Sequence, residues 1–396
     1  MNITCTTIDQ PYGQEKPDTP RFLITLDVGI GDAVAIGLSA IDQLVAHDPF
    51  AAGTIDVLCN RLQAQIFAHD PRINRIIATN KVFFPGTHIT QWLRGIMLDP
   101  EAVRVIHFLR QRCYEAVFPS IIAPGLYFRL HSHILYPRFF AMARYLLAFR
   151  KQADIHVTTV VEHMVNRHFG QPAPSVSSNK EIPLYLSATH VQKAMKLVAT
   201  LKAEAALDRI DGKVLLVAPD TASAVTRPPI DLLIAALSSV LVACPNLLIS
   251  ILPSYTETTR SSYLREILST NHPRRIFLLP AEPKMHLLET TALLDQADIF
   301  ISGDTGVMHL AATQKRLRDG DDMRFAPKNA GKIVALFGGT SPGFYGYRGR
   351  TTIIGRGRKE QTALRPGISK ESYQLKGRNV FDHISAQQIV DGILVP

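Results

Sequence analysis

The sequence predicts two doubly wound α/β domains in tandem. Three observations lead there: short β-branched strands alternating with amphipathic helices from residue 21 onward, a restart of that alternation at residue 213, and a stretch rich in Pro, Ser and small polar residues between the two runs. At 396 residues, 46% of them hydrophobic and 19% charged, the chain carries enough apolar mass for two cores. A disordered or fibrous chain is excluded.

The first unit, "RFLITLDVGIGDAVAIGLSAIDQL" (residues 21–44), reads as a buried strand, a glycine turn and a helix. A dinucleotide fingerprint requires Gly-x-Gly-x-x-Gly, its last glycine letting helix and strand pack closely. Here Gly29 and Gly31 are present, but the third position is Val34. Asp32 falls at the expected helix start, where a carboxylate caps backbone N–H groups and would repel a pyrophosphate on the same helix end. The turn thus carries an anionic side chain where a dinucleotide enzyme places an anionic ligand.

Further strands are expected at "IDVLC" (55–59), "INRIIA" (73–78) and "EAVFPS" (115–120), with helices at 139–149 and 156–169. The linker candidate "GQPAPSVSSNKEIPLYL" puts the boundary near 170–185, giving domains 21–178 and 179–396. The second run comprises strands at 213–219, 247–253, 275–280, 298–302 and 332–338. Helices are expected at 230–243, 259–268 and 285–296, and a short one from Gly306. Ligands of open α/β sheets bind at the carboxyl ends of such strands.

Several classes can be set aside. Residues 1–20 hold Pro and polar residues without an apolar signal core, and read as a loose leader without export. The longest apolar run, Leu232 to Cys244, is shorter than the roughly 20 residues of a bilayer span. Cys5, Cys59, Cys113 and Cys244 are scattered without a Cys-x-x-Cys pair, which suits a reducing cytosol and not structural zinc. "HSH" (131–133) lacks a third ligand at zinc spacing. Asp319, Asp321 and Asp322 in "LRDGDDMRF" mimic an Asp-x-Asp metal motif, but read as part of a charged surface insertion at 315–331. The formal charge of +9 is concentrated between Tyr345 and Arg378, where nine Lys or Arg, Arg356 and Arg358 among them, face only Glu360 and Glu371. Such a segment suits an anionic glycolipid or a sugar phosphate; the alternative is a merely solvated loop. It offers little aromatic surface beyond Tyr345 and Tyr347 for nucleic acid.

The most informative motif is "ADIFISGDTGVMHLAAT" (297–313). A strand ends at Ser302, Gly303 turns the chain, Asp304 and Thr305 occupy the cap, and Gly306 opens a helix whose free N–H groups can hold a diphosphate. This segment resembles the glycosyltransferase family 9 of ADP-heptose:lipopolysaccharide heptosyltransferases. The similarity appears in order at the Gly31–Asp32 turn, at Asp304-Thr305-Gly306 with His309, at "ALFGGTSP" (335–342) and at "HISAQQIV" (383–390).

The resemblance implies a GT-B arrangement of two Rossmann-like domains facing a central cleft, the acceptor on the first and a nucleotide sugar on the second. It implies an inverting, metal-independent transfer of a heptose-like sugar from a nucleoside diphosphate donor, an ADP-sugar, to a glycan or anionic glycolipid hydroxyl. No cofactor is called for. Asp32 matches the general base, with Gly29 and Gly31 shaping its turn; the alternative is an ordinary helix cap. Donor contacts fall on Thr221, Thr226, Arg227, Met285, Asp304, Thr305, Gly306 and His309. Relatives carry a lysine near the pair that reads Pro228–Pro229 here, and Arg227 can supply that charge. The alternatives are helix core for Met285 and a buried, satisfied histidine for His309. The expected location is the cytoplasm, with peripheral contact at the inner face of the membrane and no nucleic-acid partner. A degenerate relative that binds a nucleotide sugar without transfer is the rival reading.

Overall fold

A computed structural model describes residues 6–9, 20–26, 29–48, 54–79, 105, 108–109, 111–119, 155–172, 181–207, 212–254, 258–281, 285–347, 349, 351–355 and 380–395. The chain divides into two compact units, Met1–Tyr185 and Leu186–Pro396.

The first unit holds β1 (Thr6–Asp9), β2 (Phe22–Thr25), β3 (Ile55–Cys59), β4 (Ile73–Ala78) and β5 (Ala116–Pro119), in the order β1-β4-β3-β2-β5. β1 runs antiparallel to β4 and the other pairings are parallel. β1 corrects the expectation of a loose leader: four residues pair backbone to backbone with Arg75–Ala78 on the sheet edge. Leu23, Leu58, Ile77 and Val117 pack with Val105, Leu109 and Tyr114 in one cluster. Burying each large aliphatic side chain there contributes about 1.5–3 kcal/mol. Asp56 is fully buried in this sheet and accepts hydrogen bonds from Asn74 Nδ2 (2.9 Å) and Tyr114 Oη (2.6 Å). Burial pushes its carboxyl up from the ordinary range.

Chain direction reverses its lateral progress after β2. From there the sheet grows through β3 and β4 on one side, while β5 adds on the other. The switch point therefore lies at the carboxyl ends of β2 and β5, and the segment leaving β2 is the Gly29–Asp32 turn.

In the second unit, β6 (Pro183–Leu186) spans the division. β7 (Lys213–Ala218), β8 (Leu247–Ile251), β9 (Ile276–Leu278) and β10 (Ile299–Gly303) follow, then β11 (Gln314–Leu317), β12 (Lys332–Phe337) and β13 (Thr351–Gly355). The main sheet is parallel throughout, in the order β13-β12-β10-β7-β8-β9. Its inner strands β7, β8, β10 and β12 are buried on both faces, which is why their sequences read as continuous apolar runs. Helices Ile230–Ala243 and Ala386–Leu394 cover one face through Leu237, Val240 and Ile389, packed with Leu215, Val217, Ile249 and Val334. This sheet switches direction between β7 and β10.

The expected helix 156–169 is Val157–His168, and 259–268 is the longer Thr258–Asn271. The expected helix 139–149 and the "HSH" triplet lie outside the described residues. So do Arg356 and Arg358, while part of the basic segment forms strand β13. The 315–331 segment is more than a surface insertion: Lys315 is buried, and its Nζ donates to the carbonyls of Ala311 and Thr313, closing the end of helix Gly306–Ala312. The Asp295 carboxylate accepts the N–H groups of Lys328 and Asn329 at 2.7 and 2.8 Å. Asp321 accepts from Ala188 N–H (3.0 Å), and Asp322 pairs with Arg324 (2.6 Å).

Candidate active site

In the first unit, Asp32 is the third residue of a helix beginning at Ile30, with Gly29 as the capping residue. This corrects the expectation of Asp32 as an N-cap: its carboxylate makes no cap hydrogen bond. Helical winding then changes. Ala33–Leu38 is π-helical before Ser39–His47 resumes the α form. Single π turns inside α-helices are frequent at functional sites. A Cβ on Gly37 would meet Leu26 Cδ1 at 2.9 Å, so Gly37, not position 34, supplies the close packing of helix on strand. Gly29 is held from the neighbouring loop, its carbonyl facing Gln63 Nε2 at 3.5 Å; Gln63 is itself buried in a reciprocal cap with Asn60. The result is a half-buried carboxylate at the first sheet's switch point, on a turn braced by the helix Arg61–Phe67 that follows β3.

In the second unit, the loops leaving β7 and β10 meet at the switch point because position 303 has no side chain. A Cβ there would stand 2.2 Å from the Thr226 carbonyl oxygen and 2.9 Å from Pro228 Cδ. Gly339, after β12, donates its N–H to Val225 O at 2.9 Å, and its own missing Cβ would meet that oxygen at 2.8 Å. Three loops are thus packed backbone to backbone, and they bring Thr221, Thr226, Arg227, Asp304, Thr305, Gly306 and His309 into one region.

Thr221 and Thr226 are buried, their hydroxyls 2.8 Å apart, and both donate to Ser223 O at 2.7 and 3.0 Å. Arg227 is engaged as well. Its Nε lies 2.7 Å from Asp220 Oδ1 and its Nη2 donates to Thr221 O at 3.0 Å. Asp220 also accepts from Ser254 Oγ, and Arg260 binds the carbonyls of Pro219 (2.9 Å) and Pro228. Arg227 therefore brings a positive charge to the loop, but one partly offset by Asp220. Asp220, Ser254 and Arg260 were not picked out in the sequence because each works through a backbone or side-chain partner distant along the chain.

Thr305 caps helix Gly306–Ala312 by position, without a side-chain cap hydrogen bond. The first-turn N–H groups of Gly306 and Val307 have no intrahelical acceptor. His309 is buried, with Nδ1 2.8 Å from Tyr347 Oη and Nε2 3.4 Å from Asp304 Oδ1. Its burial is as the alternative weighed in the sequence has it, and its Nδ1 is engaged by Tyr347. Met285 is half-buried, one residue before the His286 cap of helix Leu287–Gln296; it is not helix core, and the helix begins two residues later than expected. Among the described residues no group of three or more His, Cys, Asp or Glu side chains is placed to hold a metal ion, and no helix is long and apolar enough to cross a membrane.

Residues 263–373 match the model of glycosyltransferase family 9 (heptosyltransferase), a span that includes Asp304–His309 and Tyr347. No curated protein matches the chain in sequence. Among solved structures, the Escherichia coli ADP-heptose LPS heptosyltransferase II is similar at 16% identity with a TM-score of 0.61, covering 94% of this chain and 97% of that one. A family 9 glycosyltransferase from Veillonella parvula is similar at 14% identity and a TM-score of 0.65, covering 96% and 98%. E. coli heptosyltransferase WaaC, solved with ADP-2-deoxy-2-fluoro heptose, is similar at 17% identity and 0.54, covering 94% and 98%. The fold is the GT-B-like one of these proteins, with two Rossmann-like domains.

Proposed function

We propose that this chain, a heptosyltransferase-like glycosyltransferase, moves a heptose-like sugar from a nucleoside diphosphate donor to a hydroxyl of a glycan or glycolipid with inversion at the anomeric carbon. The observation that carries the reading is the convergence of the loops after β7 and β10, made by Gly303, around an open helix start at Thr305 and Gly306.

In this reading the donor diphosphate takes the Gly306 and Val307 N–H groups and the Thr305 hydroxyl, where the helix dipole offsets the charge that grows on the departing phosphate. Thr221, Thr226 and Arg227 form the facing wall, and Met285 stands toward the base. ADP is the expected nucleotide, since one heptosyltransferase neighbour, E. coli WaaC, was solved both with ADP and with an ADP-sugar analogue. The first unit receives the acceptor. Asp32 takes the proton of the acceptor hydroxyl as its oxygen attacks the anomeric carbon and the bond to the diphosphate breaks. Its place after β2, at the switch point of the first sheet, supports Asp32 as a base. The basic 345–378 segment suits an anionic acceptor such as a phosphorylated glycolipid at the inner membrane face, reached from the cytoplasm.

The experiment is calorimetric titration with ADP, UDP, GDP and dTDP, first without metal and then with magnesium, followed by transfer assays with Asp32→Ala. Selective metal-free ADP binding, with Asp32→Ala binding ADP normally and losing about 10²–10⁴ in turnover, is the expected outcome. Selective binding of another nucleotide changes the donor. Binding without wild-type transfer to any glycolipid acceptor makes the chain a nucleotide-sugar binder, and no binding at all overturns the reading.

A further inference from the structure

A carboxylate stands inside the loop that faces the donor diphosphate. Asp220 lies two residues past the end of β7, and its side chain is 6% exposed. A buried carboxylate costs free energy unless its oxygens are paired, and beside an anionic ligand it also repels. Here both oxygens are engaged. Oδ1 accepts the Thr221 N–H at 2.9 Å and lies 2.7 Å from Arg227 Nε, while Oδ2 accepts the Ser254 hydroxyl.

The sheet brings these partners together. β7 and β8 are adjacent and parallel, so Asp220 and Ser254 leave it on the same edge. Arg260, in helix Thr258–Asn271, donates from Nε to the Pro219 carbonyl (2.9 Å) and from Nη2 to that of Pro228, tying both ends of the loop to one guanidinium. Arg227 is fixed from within the loop. Its Nε faces Asp220 Oδ1 and its Nη2 donates to Thr221 O at 3.0 Å. Nε and Nη2 lie along one edge of the planar group, so two contacts on that edge set its plane and direct Nη1 away from the carboxylate. The Arg227 side chain keeps 17% exposure, so it meets solvent more than the acid it pairs with.

We infer that Asp220 is a positioning residue which, steadied by Ser254, fixes the plane of the Arg227 guanidinium for the donor diphosphate. The inference rests on the donor reading above. Two parallel N–H contacts to a phosphate demand a guanidinium held in one plane, and a long arginine stem loses rotamer freedom when it is so held. Asp220 imposes that order before the ligand arrives. A carboxylate that only offset the Arg227 charge would act with the opposite sign, since removing it would tighten the binding of an anion.

The test is ADP calorimetry on the full chain for wild type, Asp220→Asn, Arg227→Met and the double variant, with Ser254→Ala and melting curves alongside. Asp220→Asn keeps the shape of the side chain and removes the charge facing Nε, and should weaken ADP about tenfold, within the range for coupled neighbours. Arg227→Met should weaken it at least as much. In the Arg227→Met background, which has no guanidinium to orient, adding Asp220→Asn should change ADP affinity no further, whereas a merely structural acid would cost the same with or without Arg227. Ser254→Ala leaves the acid in place with one donor fewer; it should show a smaller loss that Arg227→Met also erases, and it carries the test if the melting curves show Asp220→Asn to be unfolded. Tighter or unchanged binding in Asp220→Asn, losses that add in the double variant, or an Arg227→Met chain that binds ADP as wild type does overturns the inference while leaving the donor reading standing. A wild-type chain that binds no nucleoside diphosphate overturns both, and is recognised before any variant is made.

Discussion

At position 303 a hydrogen in place of a side chain decides whether the loops after β7 and β10 can meet. The atom a Cβ would strike, the Thr226 carbonyl oxygen at 2.2 Å, is backbone and cannot rotate away. Gly303→Ala must therefore push the 219–229 loop off the end of β10, at a cost of about 1–3 kcal/mol for overpacking, and should weaken nucleotide binding with it. Gly29→Ala is the contrast, since nothing lies within 4 Å of its Cβ position and its φ of −70° suits any residue; its melting temperature should stay within error of wild type while that of Gly303→Ala falls. Asp304, Thr305 and Gly306 were legible in the sequence because a strand, a turn and a helix start follow one another within ten residues. The contact of Tyr347 with His309 was not, since the two stand 38 residues apart along the chain and the neighbours of Tyr347 read as a basic segment.

Elements buried on both sides announced themselves. β7, β8, β10 and β12 begin or end within one or two residues of the runs expected from sequence, because a central parallel strand must be apolar on both faces. β1, β11 and β13 did not: Thr6–Asp9 and Gln314–Leu317 hold place by backbone pairing without an apolar stripe, and Thr351–Gly355 lies at a sheet edge, only partly buried. The π segment Ala33–Leu38 is likewise invisible to periodicity, since its apolar residues fit either winding. One pair of elements also carries a pH dependence. His286 caps helix Leu287–Gln296 by accepting Leu288 N–H on Nδ1 (3.2 Å), and His190 accepts Ser187 N–H (3.2 Å) at the start of helix Ala188–Glu204; their rings stack 5.7 Å apart. Burial holds the His286 pKa below its ordinary 6.5 against the opposing pull of Glu289, with a smaller contribution from the Lys193 charge. The folded state thus prefers neutral His286, and the unfolded chain takes up the proton first. This contribution to stability is present above the ordinary histidine value and is lost as pH falls below it toward the folded value. Melting curves at about pH 7.5 and about pH 5.5 should show a larger drop for wild type than for His286→Asn, which keeps a capping side chain that does not titrate; equal drops would remove His286 from the account.

The whole molecule comprises two units that each own a sheet and a core, Met1–Tyr185 and Leu186–Pro396. Donor contacts are assigned to the second alone, so nucleotide should act on the two units unequally. A ligand bound only to the folded form at about one hundred times its dissociation constant adds about 2.7 kcal/mol to the unit that binds it. For a unit of about 200 residues, each kcal/mol moves the midpoint by about 2–4 °C, so ADP should raise the second unit's transition by about 5–11 °C. Scanning calorimetry should then resolve a transition that moves with ADP and one that does not, and a glycolipid acceptor should move the other. Gly303→Ala should abolish the ADP shift without touching the stationary transition, because the loop it displaces lies wholly in the second unit. Equal movement of both transitions would mean that the units unfold as one body, and the division of labour would then have to be read from variants in each unit instead of from the melting profile.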